Sequence, residues 1–151
     1  MWTMAAALSS QFHHLRDSLY RDTLDQLHTL DLTLALGPQD DEVSLLEQAQ
    51  AWILVAVYEF VQRASSFRQA WNSVGRAIRL VQFMRLSETD LEDAVFDTPP
   101  YTETDPDSFI EKEERRRTFW MAFCLDRFAC SLNGLPLTLG EPVRFSTAVP
   151  E

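Results

Sequence analysis

Proline is confined to the joints of this chain. None falls between Gln39 and Thr98, or between Asp107 and Leu135, while Pro38, Pro99-Pro100, Pro106, Pro136, Pro142 and Pro150 lie outside those stretches. A helix interior rejects proline, which lacks an amide proton and clashes with the preceding turn. Long proline-free runs separated by proline-bearing joints therefore predict an all-α fold, a bundle of about four helices.

The spacing predicts a first helix over 5–35. Leu8, Phe12, Leu15, Leu19, Leu27, Leu30 and Leu34 recur at three, four or seven, with one step of eight. Gly37-Pro38 should end it. The second helix is expected over 43–62, with Asp40 or Asp41 as its cap. Leu45, Leu46, Ala49, Trp52, Ile53, Ala56, Val57, Phe60 and Val61 form a wide apolar face. Leu54 and Val55 fall outside that face, so this helix should be central in the bundle.

The third helix is expected over 67–85, capped by Ser65 or Ser66. Phe67, Ala70, Trp71, Val74, Ala77, Ile78, Val81 and Met84 step by three or four without a miss. The short link to the second helix predicts an antiparallel αα-hairpin. Gly75 lies inside this helix at a cost of ~1 kcal/mol against alanine. Close approach of a second helix is the expected compensation.

An acidic loop is expected over 87–108. It carries eight carboxylates and no Lys or Arg, and one turn over 91–96 should pin Val95 or Phe96 to the bundle. The fourth helix is expected over 109–133, with Asp107 or Ser108 as cap and Glu111, Glu113 and Glu114 favoured by the helix dipole. Phe119, Ala122, Phe123, Asp126 and Cys130 share one face. Asn133-Gly134 closes the helix, and 134–151 reads as an irregular tail.

Charge and cysteine content exclude several functions. Thirteen Lys+Arg against 23 Asp+Glu leave −10, which argues against direct contact with DNA or RNA. Two cysteines, Cys124 and Cys130, cannot make a disulfide framework or a multi-cysteine zinc cluster. Their setting is expected to be reduced and intracellular. The longest strongly apolar run, 51–57, falls far short of a membrane span, and the first ten residues lack the basic region of a signal peptide. His13, His14 and His28 have no metal-binding spacing. No phosphate-cradling glycine loop or recognisable nucleophile–histidine pair is present.

The densest feature runs from Glu114 through Arg115, Arg116 and Arg117 to Trp120, Asp126 and Arg127. Three guanidinium groups could grip an oxyanion. The structural alternative pairs Arg116 and Arg117 with acids of the loop or the first helix. Asp126, on an apolar face, must be partnered if buried. Arg76, Arg79 and Arg127 are the candidates. Trp52, Trp71 and Trp120 each lie on an apolar face, which predicts core packing or, alternatively, an effector pocket. A hollow between them and Arg115–Arg117 would take an acidic metabolite. A third reading, a helical lyase using Asp40, Asp41 and Asp126, lacks paired motifs facing one cavity.

Three blocks resemble the fungal-specific transcription factor domain, the middle homology region of zinc-cluster regulators. Gln48-Ala49 through Tyr58 is similar to the family's Q-A-L-L-L-L-x-x-Y helix. Ala70-Trp71 through Gly75-Arg76-Ala77-Ile78-Arg79 is similar to A-W-x-x-x-G-x-A-I-R. The family usually follows with G-L-H, where this chain has Met84-Arg85-Leu86-Ser87. Glu113 through Arg117, Trp120 and Asp126-Arg127, then Gly134-Leu135-Pro136, resembles E-x-R-R-R-x-W-W-x-x-F-x-x-D-R followed by G-R-P. The final Val143–Pro150 is similar to the family's segment ending in L-P.

The resemblance implies an all-α regulatory domain over 1–151, a nuclear setting, and regulation of RNA polymerase II transcription of metabolic or secondary-metabolite genes. It implies no cofactor in this chain. The zinc belongs to the parent family's DNA-binding domain, whose six-cysteine cluster this sequence lacks. The family domain also continues past the last residue here, so a fragment, a truncated product or a shortened paralogue is expected. Action through protein partners or self-association follows, with an apolar patch exposed along the second and fourth helices.

Overall fold

A computed structural model describes residues 1–36, 42–62, 67–88 and 106–140. The expected caps at Asp40, Asp41, Ser65 and Ser66, the Gly37-Pro38 stop, the turn over 91–96 and the end of the tail lie outside the described residues. Among those described there are five α-helices and no strand. They are α1 (Trp2–Leu8), α2 (Arg16–Leu36), α3 (Glu42–Gln62), α4 (Phe67–Phe83) and α5 (Pro106–Asn133).

The first expected helix is two. Ser9 leaves the helix at φ −95°, ψ 126°, and a 3₁₀ turn at His13–Leu15 leads into α2. The Ser9-Ser10-Gln11 stretch explains the break, since serine hydroxyls compete with the helical backbone. The break also corrects the stripe. Leu8, Phe12, Leu15 and Leu30 are exposed, while Tyr20 and Leu27 are buried. Leu27 of the expected stripe is buried and Leu19 half-buried, but Tyr20, Thr23, Leu24 and Asp31 share that inward side in place of the exposed leucines.

Contacts along α3 set the topology. Phe67 of α4 meets Phe60, Ser73 meets Glu59, and Arg76 meets Trp52. Position rises on α4 as it falls on α3, so the two are antiparallel, as their short link predicted. On α2, Tyr20 meets Glu59, His28 meets Trp52 and Asp31 meets Gln48, which again is antiparallel. On α5, Thr118 meets Gln50 and Phe128 meets Phe60, so α5 runs parallel to α3. Thus α3 is central, and Leu46, Ala49, Trp52, Ile53, Val55 and Ala56 are buried on nearly all its sides. Val61, expected on the inner face, is exposed, although its neighbours Glu59 and Phe60 are packed.

The stripe of α4 holds, with Ala70, Val74, Ala77, Ile78 and Val81 buried. Trp71 is the exception, at 41% exposed. It occupies the rim of that face. A Cβ on Gly75 would meet only the Arg79 guanidinium, at 3.9 Å. No second helix approaches closely, which corrects the expected compensation. The helix ends at Phe83, and Arg85 takes a left-handed conformation at φ 51°. Leu86 then inserts into the core, 2% exposed.

The start of α5 is Pro106, three residues before the expected start. Proline suits a first helical turn because its missing amide proton has no partner there anyway. Asp107 and Ser108, expected as caps, are inside the helix.

Candidate functional site: a latched tail and an open cleft

The tail turns back onto α5 around Asp126. This carboxylate is 2% exposed. Its Oδ2 accepts the backbone amides of Thr138 and Leu139, both at 2.9 Å. The Cys130 thiol lies 3.6 Å from Oδ1 and 3.3 Å from the Pro136 carbonyl, and donates its one proton to either. Gly134 supplies the reversal at φ 63°, and the Leu135 amide donates to the Cys130 carbonyl at 3.2 Å. Leu139 is buried in the core. Arg127 donates to the Leu139 carbonyl at 3.4 Å and lies over the Phe123 ring.

Asp126 is therefore held by backbone amides, and not by an arginine as the sequence suggested. Backbone donors carry no side-chain signature, so spacing could not reveal them. The motif residues Asp126, Arg127, Gly134 and Pro136 do converge, around one turn. Burial and the adjacent Asp126 carboxylate push the Cys130 thiol above its ordinary pKa.

A second buried carboxylate escaped the sequence reading. Glu59 is 2% exposed. It accepts the Tyr20 hydroxyl of α2 on Oε1 and the Ser73 hydroxyl of α4 on Oε2 at 2.7 Å, joining three helices. A signal was present: Glu59 is the sole charged residue between Gln48 and Gln62 on a helix apolar almost all round. A third polar junction lies nearby. Asp31 takes Arg76 in an ion pair and accepts the Gln48 amide. Arg76 also covers the Trp52 ring, 4.7 Å from its centroid.

The three tryptophans are not brought together. Trp52 is 1% exposed beneath His28 and Arg76. Trp71 lies at the rim of α4. Trp120, 36% exposed, packs on Phe119 and Phe123 of its own helix. The arginines also find local partners. Arg115 pairs with Glu111 at 3.0 Å, Arg117 with Glu113 at 2.7 Å, and Arg116 with Glu113. These are i,i+3 and i,i+4 pairs within α5, where acids of the loop or first helix were expected. The Arg117 hydrogen bond, aided by Arg116, lowers the Glu113 pKa. Arg79 lies along the outer side of α4, nearest Gly75.

A hollow lies elsewhere, between α3 and α5. It measures about 630 Å³ and is lined by Gln50, Ile53 and Leu54 on one side and by Phe109, Ile110, Glu113, Glu114, Arg117, Thr118 and Met121 on the other. Gln50 spans its base, donating to Glu114 at 2.9 Å and Thr118 at 3.1 Å. A second hollow of about 240 Å³ lies beneath α1 and again includes Gln50 and Leu54. No tryptophan lines either one. Among the described residues, no group of three or more His, Cys, Asp or Glu could hold a metal ion, and no helix is long and apolar enough to cross a membrane.

The model of the fungal specific transcription factor domain matches residues 1–151. The chain belongs to that family. It is 47% identical to a pigment biosynthesis transcriptional activator of Monascus ruber over 99% of this chain and 26% of that protein. It is 44% identical to a citrinin biosynthesis transcriptional activator of Monascus purpureus, over 95% of this chain and 23% of that protein. A third relative, a transcription factor of Aspergillus terreus, is 42% identical over 97% and 21%. The chain thus spans about a quarter of the length of these curated relatives. No solved structure matches.

Proposed function

We propose that this chain is a non-enzymatic regulatory domain of a nuclear, cluster-specific transcriptional regulator, and that it works through protein contacts. The family match over residues 1–151 carries the reading, and the named relatives are transcriptional activators of biosynthesis. The geometry supports it. The buried acids Asp126 and Glu59 have their oxygens engaged by amides, a thiol and hydroxyls that hold helices and tail together. Such groups act as structural ties and present no poised acid–base pair. Meanwhile Phe109, Ile110, Met121, Phe128 and Leu132 of α5 and Val61 of α3 are exposed, a surface of the kind that proteins dock on. Direct DNA contact is not part of this role, given a net charge of −10.

Acidic-metabolite sensing gains no support from the geometry. Arg115–Arg117 already hold acids of their own helix, and the α3–α5 hollow sets two carboxylates against one guanidinium.

The test uses the Monascus ruber pigment activator. Its matching segment is deleted, or replaced by residues 1–151 of this chain, and pigment-gene transcripts are measured in the host. Deletion should abolish regulated transcription and the replacement should restore it in large part. Unchanged transcription on deletion would refute the regulatory reading.

A further inference from the structure

The two hollows are neighbours. Both include Gln50 and Leu54, so they meet over α3. Gln50 and Leu54 are common to both, and Glu47 and Ala51 of the α1-side hollow continue the same stripe of that helix at i, i+3, i+4 and i+7. One wall is α1, with Met1 and Met4. The other is α5, with Phe109, Ile110 and Met121. A trough floored by one helical stripe and walled by two helices has the shape that receives another helix.

The lining names the chemistry of that helix. Phe109 and Ile110 are 67% and 61% exposed, and Met1 and Met121 are exposed too. Three of the chain's four methionines line the trough, and methionine adapts its shape to an incoming apolar face. The charged groups at the trough are Glu47, Glu113, Glu114 and Arg117, three carboxylates against one guanidinium. Glu113 is held by both Arg116 and Arg117, so the excess negative charge at the trough comes from Glu47 and Glu114. Two occupants fit poorly. The segment 87–108 carries eight carboxylates and no Lys or Arg, and a second copy brings another −10. Like charges across an interface oppose binding.

The geometry points to this trough as the docking site for an amphipathic helix of a partner, with an apolar stripe that faces Ile53, Leu54, Ile110 and Met121 and with Lys or Arg along its flanks. The inference rests on the regulatory reading above and names the partner class for it. Its test is a binding measurement that needs no transcriptional output, so either reading can fail without the other.

Two fluorescein-labelled designed peptides of about 18 residues, some five helical turns, serve as probes. Both carry leucine at i, i+3, i+4 and i+7. One has lysine flanks and the other glutamate flanks. Fluorescence anisotropy is recorded with the 151-residue chain, with Ile110→Glu and Met121→Glu, and with Leu132→Glu, which alters an exposed α5 residue outside the trough. The lysine peptide should bind at least about tenfold tighter than the glutamate peptide, and added salt should narrow that gap. Each trough variant should lose about tenfold or more, and Leu132→Glu should bind as the unaltered chain does. Circular dichroism melts should coincide, since all three residues are exposed.

Equal binding of the two peptides overturns the charge assignment. Equal loss in Leu132→Glu overturns the location, and no binding by either peptide overturns the site. Sedimentation showing a dimer broken by Ile110→Glu would give the trough to a second copy instead.

Discussion

The two ends of α5 handle charge in opposite ways. Near its start, Glu111, Glu113, Arg115, Arg116 and Arg117 pair with one another in solvent. Near its end, Asp126 is buried alone and fixed by two amides of the returning tail. The first region is the more conspicuous in sequence, yet exposed pairs on one helix contribute little. The second rests on a single carboxylate, and its removal leaves the buried Leu139 amide and the part-buried Thr138 amide without that acceptor. Conspicuousness in sequence and energetic weight therefore run in opposite directions along one helix.

The largest expected effect comes from Asp126→Ala. Two hydrogen bonds to a charged acceptor are lost and the amides of Thr138 and Leu139 are stranded, which should cost about 3 kcal/mol in urea unfolding. Asp126→Asn keeps one carbonyl acceptor and should lose roughly half as much. Thiol labelling reads the same latch. Cys124 is exposed and Cys130 buried, so iodoacetamide should modify Cys124 first in the unaltered chain and both together in Asp126→Ala. The pH dependence has a defined sign. The Cys130 thiol is raised in the folded state, so its contribution is complete below the ordinary thiol pKa. It is lost as pH rises from there through the raised value, because the unfolded chain deprotonates first. Cys130→Ser should change that alkaline limb.

Next in size is Tyr20→Phe. It removes one of the two hydroxyls on Glu59 while keeping the ring against Tyr58. A buried carboxylate left with the Ser73 hydroxyl alone should cost about 1–2 kcal/mol. If Tyr20→Phe costs more than Asp126→Ala, then α2 docking and not the tail latch dominates stability, and the contrast within α5 loses its force.

Two backbone positions, one inside α4 and one just past its end, sharpen the comparison, because backbone conformation dominates both and the one ion pair touched, Arg85–Glu88 at 3.9 Å, is exposed. Gly75→Ala should stabilise by about 1 kcal/mol, since the nearest atom to a new Cβ is the mobile Arg79 guanidinium at ordinary contact distance. Arg85→Gly relieves a left-handed non-glycine residue, worth roughly 1–2 kcal/mol, against about 0.5–1 kcal/mol of added unfolded-chain entropy. The net gain should be smaller than at Gly75. Both are read from melting curves.

What the sequence could and could not disclose follows from where the information lies. The α4 stripe was legible because Ala70, Val74, Ala77, Ile78 and Val81 all pack by periodicity alone. Central placement of α3 was legible because its apolar residues encircle it. The inward face of α2 was not, because Thr23 and Asp31 sit on it for hydrogen bonding and several leucines face outward. The partner of Asp126 was illegible for a different reason, since an amide proton belongs to every non-proline residue. The family motif marked Asp126, Arg127, Gly134 and Pro136 as a unit without saying what joins them. The trough was half-legible. Exposed apolar residues were expected along the second and fourth helices, but the contribution of α1 depended on a break at Ser9 that periodicity concealed.

The smallest effect is expected where the sequence is loudest. Arg116→Ala with Arg117→Ala removes both partners of Glu113. All three side chains are on the surface, so solvent and salt screen what is lost, and the melting curve at neutral pH should barely move. The acid limb offers the finer reading. The Arg117 hydrogen bond and the neighbouring Arg116 charge hold Glu113 below the usual carboxylate value. Its contribution is therefore present above the unfolded value and disappears as pH falls through the folded one. In the double variant that part of the acid dependence should vanish, and raised salt should erase the difference between the two proteins. A loss as large as that of Asp126→Ala would mean that the arginine run ties down more than its own helix, and would reverse the ranking of the two ends of α5.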